Sequence, residues 1–87
     1  MPTVLRSGPY RFFFFAGDAG EPPHVHVQRD DADCKFWLTP CCLATSSGFQ
    51  AAELRVVGRL VEDHSAEFLE RWHEFFNGDE HGSDSAG

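Results

Sequence analysis

Two histidines, His24 and His26, are the residues of this 87-residue chain best spaced to do chemistry together. They stand in the alternating run His24-Val25-His26-Val27, and a strand there puts both imidazoles on one face, about 7 Å apart at Cα. Imidazole titrates near neutral pH, so such a pair can supply both an acid and a base. RNA cleavage is one reaction it could serve, with Arg6, Arg11 or Arg29 holding a phosphate. The pair could also begin a metal site, but a metal needs at least one more ligand, and the candidates are His64 or His73 on a helix or Cys34 on a neighbouring strand. No second metal-like spacing accompanies the pair, so the sequence predicts neither a metal nor a cofactor. The bland alternative has both rings hydrogen-bonded beneath a helix or exposed on a sheet edge. His24 and His26 are thus the candidate catalytic residues of a chain whose other features argue against an enzyme.

The remaining reactive types are weaker signals. Cys34, Cys41 and Cys42 are odd in number and lack a C-x-x-C pair, so neither a disulfide framework nor a zinc ribbon is encoded and reduced thiols are expected. A cysteine nucleophile needs a nearby base and a depressed pKa, and the sequence displays neither. Arg55 and Arg59, four apart, read as a solvated helix face, and Glu67 with Arg71 as a surface ion pair.

The elements that must position these residues form an α+β pattern: a small, mostly antiparallel sheet of three to four strands over about residues 3–38, packed on one long or kinked C-terminal helix over about 51–76. Thr3-Val4-Leu5, stopped by Ser7-Gly8-Pro9, pairs as a hairpin with the aromatic run Tyr10 to Ala16. Tyr10, Phe12, Phe14 and Ala16 share one face of that run and Phe13 and Phe15 the other, so it is apolar on both sides. Gly17-Asp18-Ala19-Gly20 is a loop, His24 to Val27 a third strand, and Cys34 to Leu38 a fourth that Thr39-Pro40 ends. From Ala51 to Phe76 apolar residues recur at Leu54, Val57, Val61, Phe68, Trp72 and Phe75 without a break in phase, which predicts one helix about 39 Å long. The alternative is a kink at Asp63-His64-Ser65 with Ser65 as N-cap. Asn77-Gly78 ends the helix in either version. Residues 1–77 then form a single domain and 78–87 an acidic, disordered tail.

Fourteen acidic residues against seven lysines and arginines give a net charge of −7, which repels a phosphate backbone and makes nucleic acid a disfavoured direct partner. No apolar stretch reaches the roughly 20 residues of a membrane helix, and no basic-then-apolar leader opens the chain, so a cytoplasmic protein is expected. The two-faced aromatic strand and the long apolar stripe predict a protein-binding surface, with Phe13, Phe15, Phe68 and Trp72 as its candidate residues.

The words Gly8-Pro9-Tyr10-Arg11-Phe12-Phe13-Phe14-Phe15, Glu21-Pro22-Pro23-His24-Val25-His26-Val27, Lys35-Phe36-Trp37-Leu38 and Trp72-His73-Glu74-Phe75-Phe76 together resemble a small prokaryotic family known as domain of unknown function 4160. The resemblance covers about residues 1–77. It implies a single-domain cytoplasmic protein often encoded beside another small protein, in the manner of toxin-antitoxin pairs. It brings no catalytic residue with it, and Cys34, Cys41 and Cys42 stand apart from the family pattern. The functional expectation is a protein-binding module in a toxin-antitoxin-like pair, whose partner is the adjacent-gene product or a second copy. The alternative is a small ribonuclease-type toxin with a His24/His26 acid-base site.

Overall fold

The computed structural model describes residues 3–84, with side chains described as far as residue 76. Its elements are β1 (Thr3–Ser7), β2 (Tyr10–Phe13), a 3-10 turn (Ala16–Gly20), β3 (His24–Arg29), β4 (Ala32–Leu38), β5 (Cys41–Ser47), α1 (Ala51–Asp63) and α2 (Ser65–Asp84). The strands form one five-stranded antiparallel meander in chain order. Tight turns dictate that order. Gly8 at φ +58° closes β1 onto β2, and Asp30 at φ +53° opens the turn from β3 to β4. Short polar side chains such as Asp accept this left-handed backbone better than most.

The sheet therefore has five strands, not three to four. Thr39-Pro40 ends β4 as expected, but it also turns the chain straight back, so that Leu38 pairs with Cys41 and Asp33 with Ser47. The sequence Cys41 to Ser47 hides a strand because β5 lies at the sheet edge and is exposed along most of its length, so it needs no apolar alternation. At the other end of the aromatic run, β2 stops at Phe13 rather than at Ala16.

The C-terminal stripe is two helices rather than one, divided at His64 (φ −111°, ψ 13°). The His64 amide and its Nδ1 both lie within hydrogen-bonding distance of the Leu60 carbonyl, at 3.1 and 2.9 Å. The ring thus satisfies an α1 terminal carbonyl in the way a basic side chain near a helix C-terminus can. Phe68 N–H donates to the His64 carbonyl at 2.9 Å, so α2 restarts one residue on, with Ser65 its first residue and not its cap. Its bounds carry α2 past Asn77-Gly78 to Asp84, correcting the expected stop. The acidic disordered tail expected over 78–87 falls outside the residues with described side chains. No described helix is long and apolar enough to cross a membrane.

Both helices lie on one face of the sheet. Phe12, Val25, Val27, Cys34, Phe36 and Leu38 of the strands, with Phe14 just past β2, pack in one core with Val57, Val61, Phe68 and Trp72. Phe12 stacks on Phe68 with ring centroids 5.4 Å apart, and Phe14 meets Trp72 edge-on at 5.2 Å. Aromatic pairs in these offset and T-shaped arrangements are worth about 0.5–1.5 kcal/mol beyond their buried area. A polar strap completes the join. Glu53 of α1 accepts hydrogen bonds from Arg29 Nη2 at 2.8 Å and from Tyr10 Oη at 2.8 Å, tying the helix to β3 and β2. The opposite face of the sheet carries Arg11, Phe13, His26, Gln28, Asp33, Lys35, Trp37 and Thr45, and among the described residues no helix covers it.

Candidate functional site

At the end of that face where Trp72 of α2 reaches His24, the two histidines His24 and His26 meet a third group, Asp18 from the 3-10 turn. The turn is built for it. Asp18 N–H donates to the Phe15 carbonyl at 3.1 Å, while Phe15 N–H donates to Asp18 Oδ2 at 3.2 Å. These reciprocal bonds fold the loop back over the start of β3. Farther along, Leu38 N–H donates to the Pro23 carbonyl at 3.0 Å and pins the Pro22-Pro23 approach to β4. Asp18 Oδ2 then stands 2.9 Å from His24 Nε2 and 2.9 Å from His26 Nε2.

The two histidines have different surroundings although they share a strand face. His24 has no solvent exposure and lies among Trp37, Trp72 and His26, with ring centroids at 5.5, 5.1 and 5.0 Å. Its Nδ1 is 2.9 Å from the Pro22 carbonyl. Since a carbonyl can only accept, Nδ1 carries a proton and Nε2 is the ring atom turned toward Asp18. That Nε2 is buried and makes no hydrogen bond, because Asp18 Oδ2, although close, lies off the direction an N–H would take. His26 keeps 18% side-chain exposure and sits between Phe13, stacked at 5.5 Å, and Phe15, edge-on at 4.5 Å. Its Nε2 donates to Asp18 Oδ2.

Burial alone would raise the Asp18 pKa, but hydrogen bonds from His26 and the Phe15 amide, with His24 close by, outweigh it and hold the carboxyl below its usual range. His26 moves down as well: burial disfavours its cation by more than Asp18 favours it. The resting unit is therefore an Asp18 carboxylate beside a neutral His26. It adjoins a cleft of about 340 Å³ lined by Phe13, Phe15, His26, Gln28, Asp33 and Thr45.

Acid-base chemistry in that cleft would fall to His26 alone, because enclosed His24 cannot touch a substrate. The proposed phosphate holders are dispersed. Arg29 is engaged by Glu53 and Asp30, Arg11 donates to Thr3 and Gln28 at 2.9 Å each, and Arg6 is exposed toward the β1 edge. The candidate third metal ligands do not converge either. His64 caps α1, His73 is on the outer side of α2, and Cys34 is in the core with its thiol pushed up to about 12, by burial first and then by Asp33. The expectation that a third ligand could come only from His64, His73 or Cys34 is corrected, since Asp18, His24 and His26 present ligand atoms all within 4.8 Å of one another. Sequence reading missed Asp18 because its partners lie six and eight positions away across a loop. The available signal was a lone acid between glycines, in the loop leading to the His-x-His strand.

The partner-binding candidates divide sharply. Phe68 and Trp72 are core residues at 0% and 5% exposure, and Phe13 is at 5% beneath Arg11 and His26. Phe15, at 42%, is the exposed member, on the rim of the cleft. Arg55 and Arg59 flank a shallow groove with Val56 and Leu60 on the outer surface of α1.

No curated protein and no solved structure matches the chain. A family model does, and it spans the aromatic strand, the Asp18 turn, both histidines, all of α1 and α2 as far as His73. Over residues 10–73 the match is to the family described as Domain of unknown function (DUF4160), and the chain belongs to that family.

Proposed function

We propose that this protein is a protein-binding module that receives a segment of its partner on the helix-free face of the sheet. The observation that carries this reading is Phe15, an exposed aromatic on the rim of a cleft about 340 Å³ in volume. Large apolar side chains beside such a concavity are typical anchors of an interface. Asp33 lines the same cleft and the chain carries −7 overall, so the complementary segment is apolar with basic flanks. The partner is the product of an adjacent gene in a toxin-antitoxin-like pair in the cytoplasm, with a second copy of this chain as the other occupant to test. Co-expression with that product, followed by co-purification of parent and Phe15→Ser, tests the reading. Retention by the parent and loss in the variant support it, and equal retention by both contradicts it.

A second reading is favoured by one observation, the neutral His26 beside the Asp18 carboxylate at the cleft. It makes the protein a small ribonuclease-type toxin. Against it stand the enclosure of His24, which leaves a proposed two-histidine mechanism with one reachable ring, and the acidic surface. RNA degradation by the purified parent that disappears in His26→Ala would establish this reading over the first.

A further inference from the structure

The group of Asp18, His24 and His26 contains an unsolved polar problem. His24 is completely enclosed, its Nδ1 proton is directed at the Pro22 carbonyl, and its Nε2 has no hydrogen-bond partner. An orphaned buried nitrogen destabilises a fold, and here it faces a carboxylate oxygen 2.9 Å away. The oxygen is not placed to accept a hydrogen bond from an Nε2–H. A cation between the atoms would satisfy both.

We propose that Asp18, His24 and His26 form a zinc-binding site, with His24 Nε2, His26 Nε2 and an Asp18 carboxylate oxygen as the three protein ligands. Zinc binds imidazole nitrogen at about 2.0–2.1 Å and carboxylate oxygen at about 2.0–2.2 Å, which sets tetrahedral ligands about 3.3 Å apart. The two contacts of 2.9 Å to Asp18 must open by a few tenths of an ångström and the widest pair, within 4.8 Å, must close toward the same value, changes that side-chain rotations about these ligands supply. The His24 Nδ1 contact to a backbone carbonyl is the outer bond that fixes a metal-binding imidazole in its tautomer. His26 shifts its proton to Nδ1 when its Nε2 takes the metal, so the neutral ring releases none. One oxygen against two nitrogens excludes calcium and magnesium, which take oxygen ligands. The enclosure of His24 by Trp37 and Trp72 closes one side, and the fourth position falls to water on the side where Asp18 and His26 keep 15% and 18% exposure. Such an ion would clamp the 3-10 turn to β3 and so fix the position of Phe15 at the cleft.

The test is zinc titration of the chelator-treated full-length protein, followed by calorimetry and thermal melting. The parent is expected to take up one equivalent and melt higher with zinc, and Asp18→Asn and His26→Gln are each expected to bind at least about 10–100-fold more weakly with little melting shift. Cys41→Ser with Cys42→Ser is expected to bind like the parent. No uptake by the parent, undiminished uptake in either ligand variant, or loss in the cysteine variant overturns the site. If a ligand variant fails to fold, cobalt(II) added to the parent decides. Intense visible bands of a tetrahedral ion support the proposal, and the weak spectrum of hydrated cobalt contradicts it.

Discussion

Phe12 and Phe68 show what a single residue contributes here: both are fully buried, and their rings stack between β2 and α2. Phe68→Ala is expected to cost about 3–5 kcal/mol, read as a lower urea midpoint, because removing a fully buried ring leaves a cavity in the core. Phe15→Ser should change that midpoint little, since the ring is partly exposed. The cysteines separate in the same way. Cys34, buried with its thiol at about 12, is expected to resist alkylation at neutral pH until the chain unfolds, whereas exposed Cys42 reacts in the folded protein. Thiol labelling followed by mass spectrometry checks both, and fast labelling of native Cys34 would contradict the packing. At this scale the sequence was legible where burial follows alternation, as at Phe12, Val25, Val27 and Phe36. It was silent on Asp18, whose importance comes from a loop folding back, which no periodicity reports.

Among the elements, the pairing of α1 with the sheet depends on Glu53. Its carboxyl is held below the usual carboxylate range, chiefly by the hydrogen bonds from Arg29 and then by that from Tyr10. A depressed pKa of this kind stabilises the fold above the ordinary carboxylate value, and the contribution is lost as pH falls through the lowered one. Parent and Glu53→Gln should therefore differ in stability at neutral pH and converge in acid; a gap that widens in acid would contradict the strap. The entry to α1 makes a second demand. Gly48 has φ +87°, and a Cβ there would lie 3.0 Å from the Ala32 Cα, so Gly48→Ala is expected to destabilise by about 1–3 kcal/mol in denaturant titration. The α+β class, β1 to β4 and the helical stripe were legible because each carries its own period. The break at His64 was legible only as an alternative to one continuous helix, because Val57, Val61, Phe68 and Trp72 keep one phase across it. The edge strand β5 was invisible for the opposite reason, as an exposed strand of small and polar residues has no pattern to keep.

The molecule as a whole is a two-layer sandwich with one side missing: helices cover one face of the sheet, and an aromatic and polar cleft opens on the other. Its apolar stripe, expected to form part of a protein-binding surface, is instead used internally by Phe68 and Trp72, which is why the proposed binding surface lies on the sheet. The central claim is that Phe15 and its cleft take a partner protein. Its most direct test is a calorimetric titration of the purified full-length chain with the adjacent-gene product, parent against Phe15→Ser, at matched ionic strength. The account predicts a complex with the parent and an affinity lower by at least about 30-fold in the variant, the loss of about 2 kcal/mol expected for an aromatic anchor. A complex of unchanged affinity, or none with the parent, would contradict it.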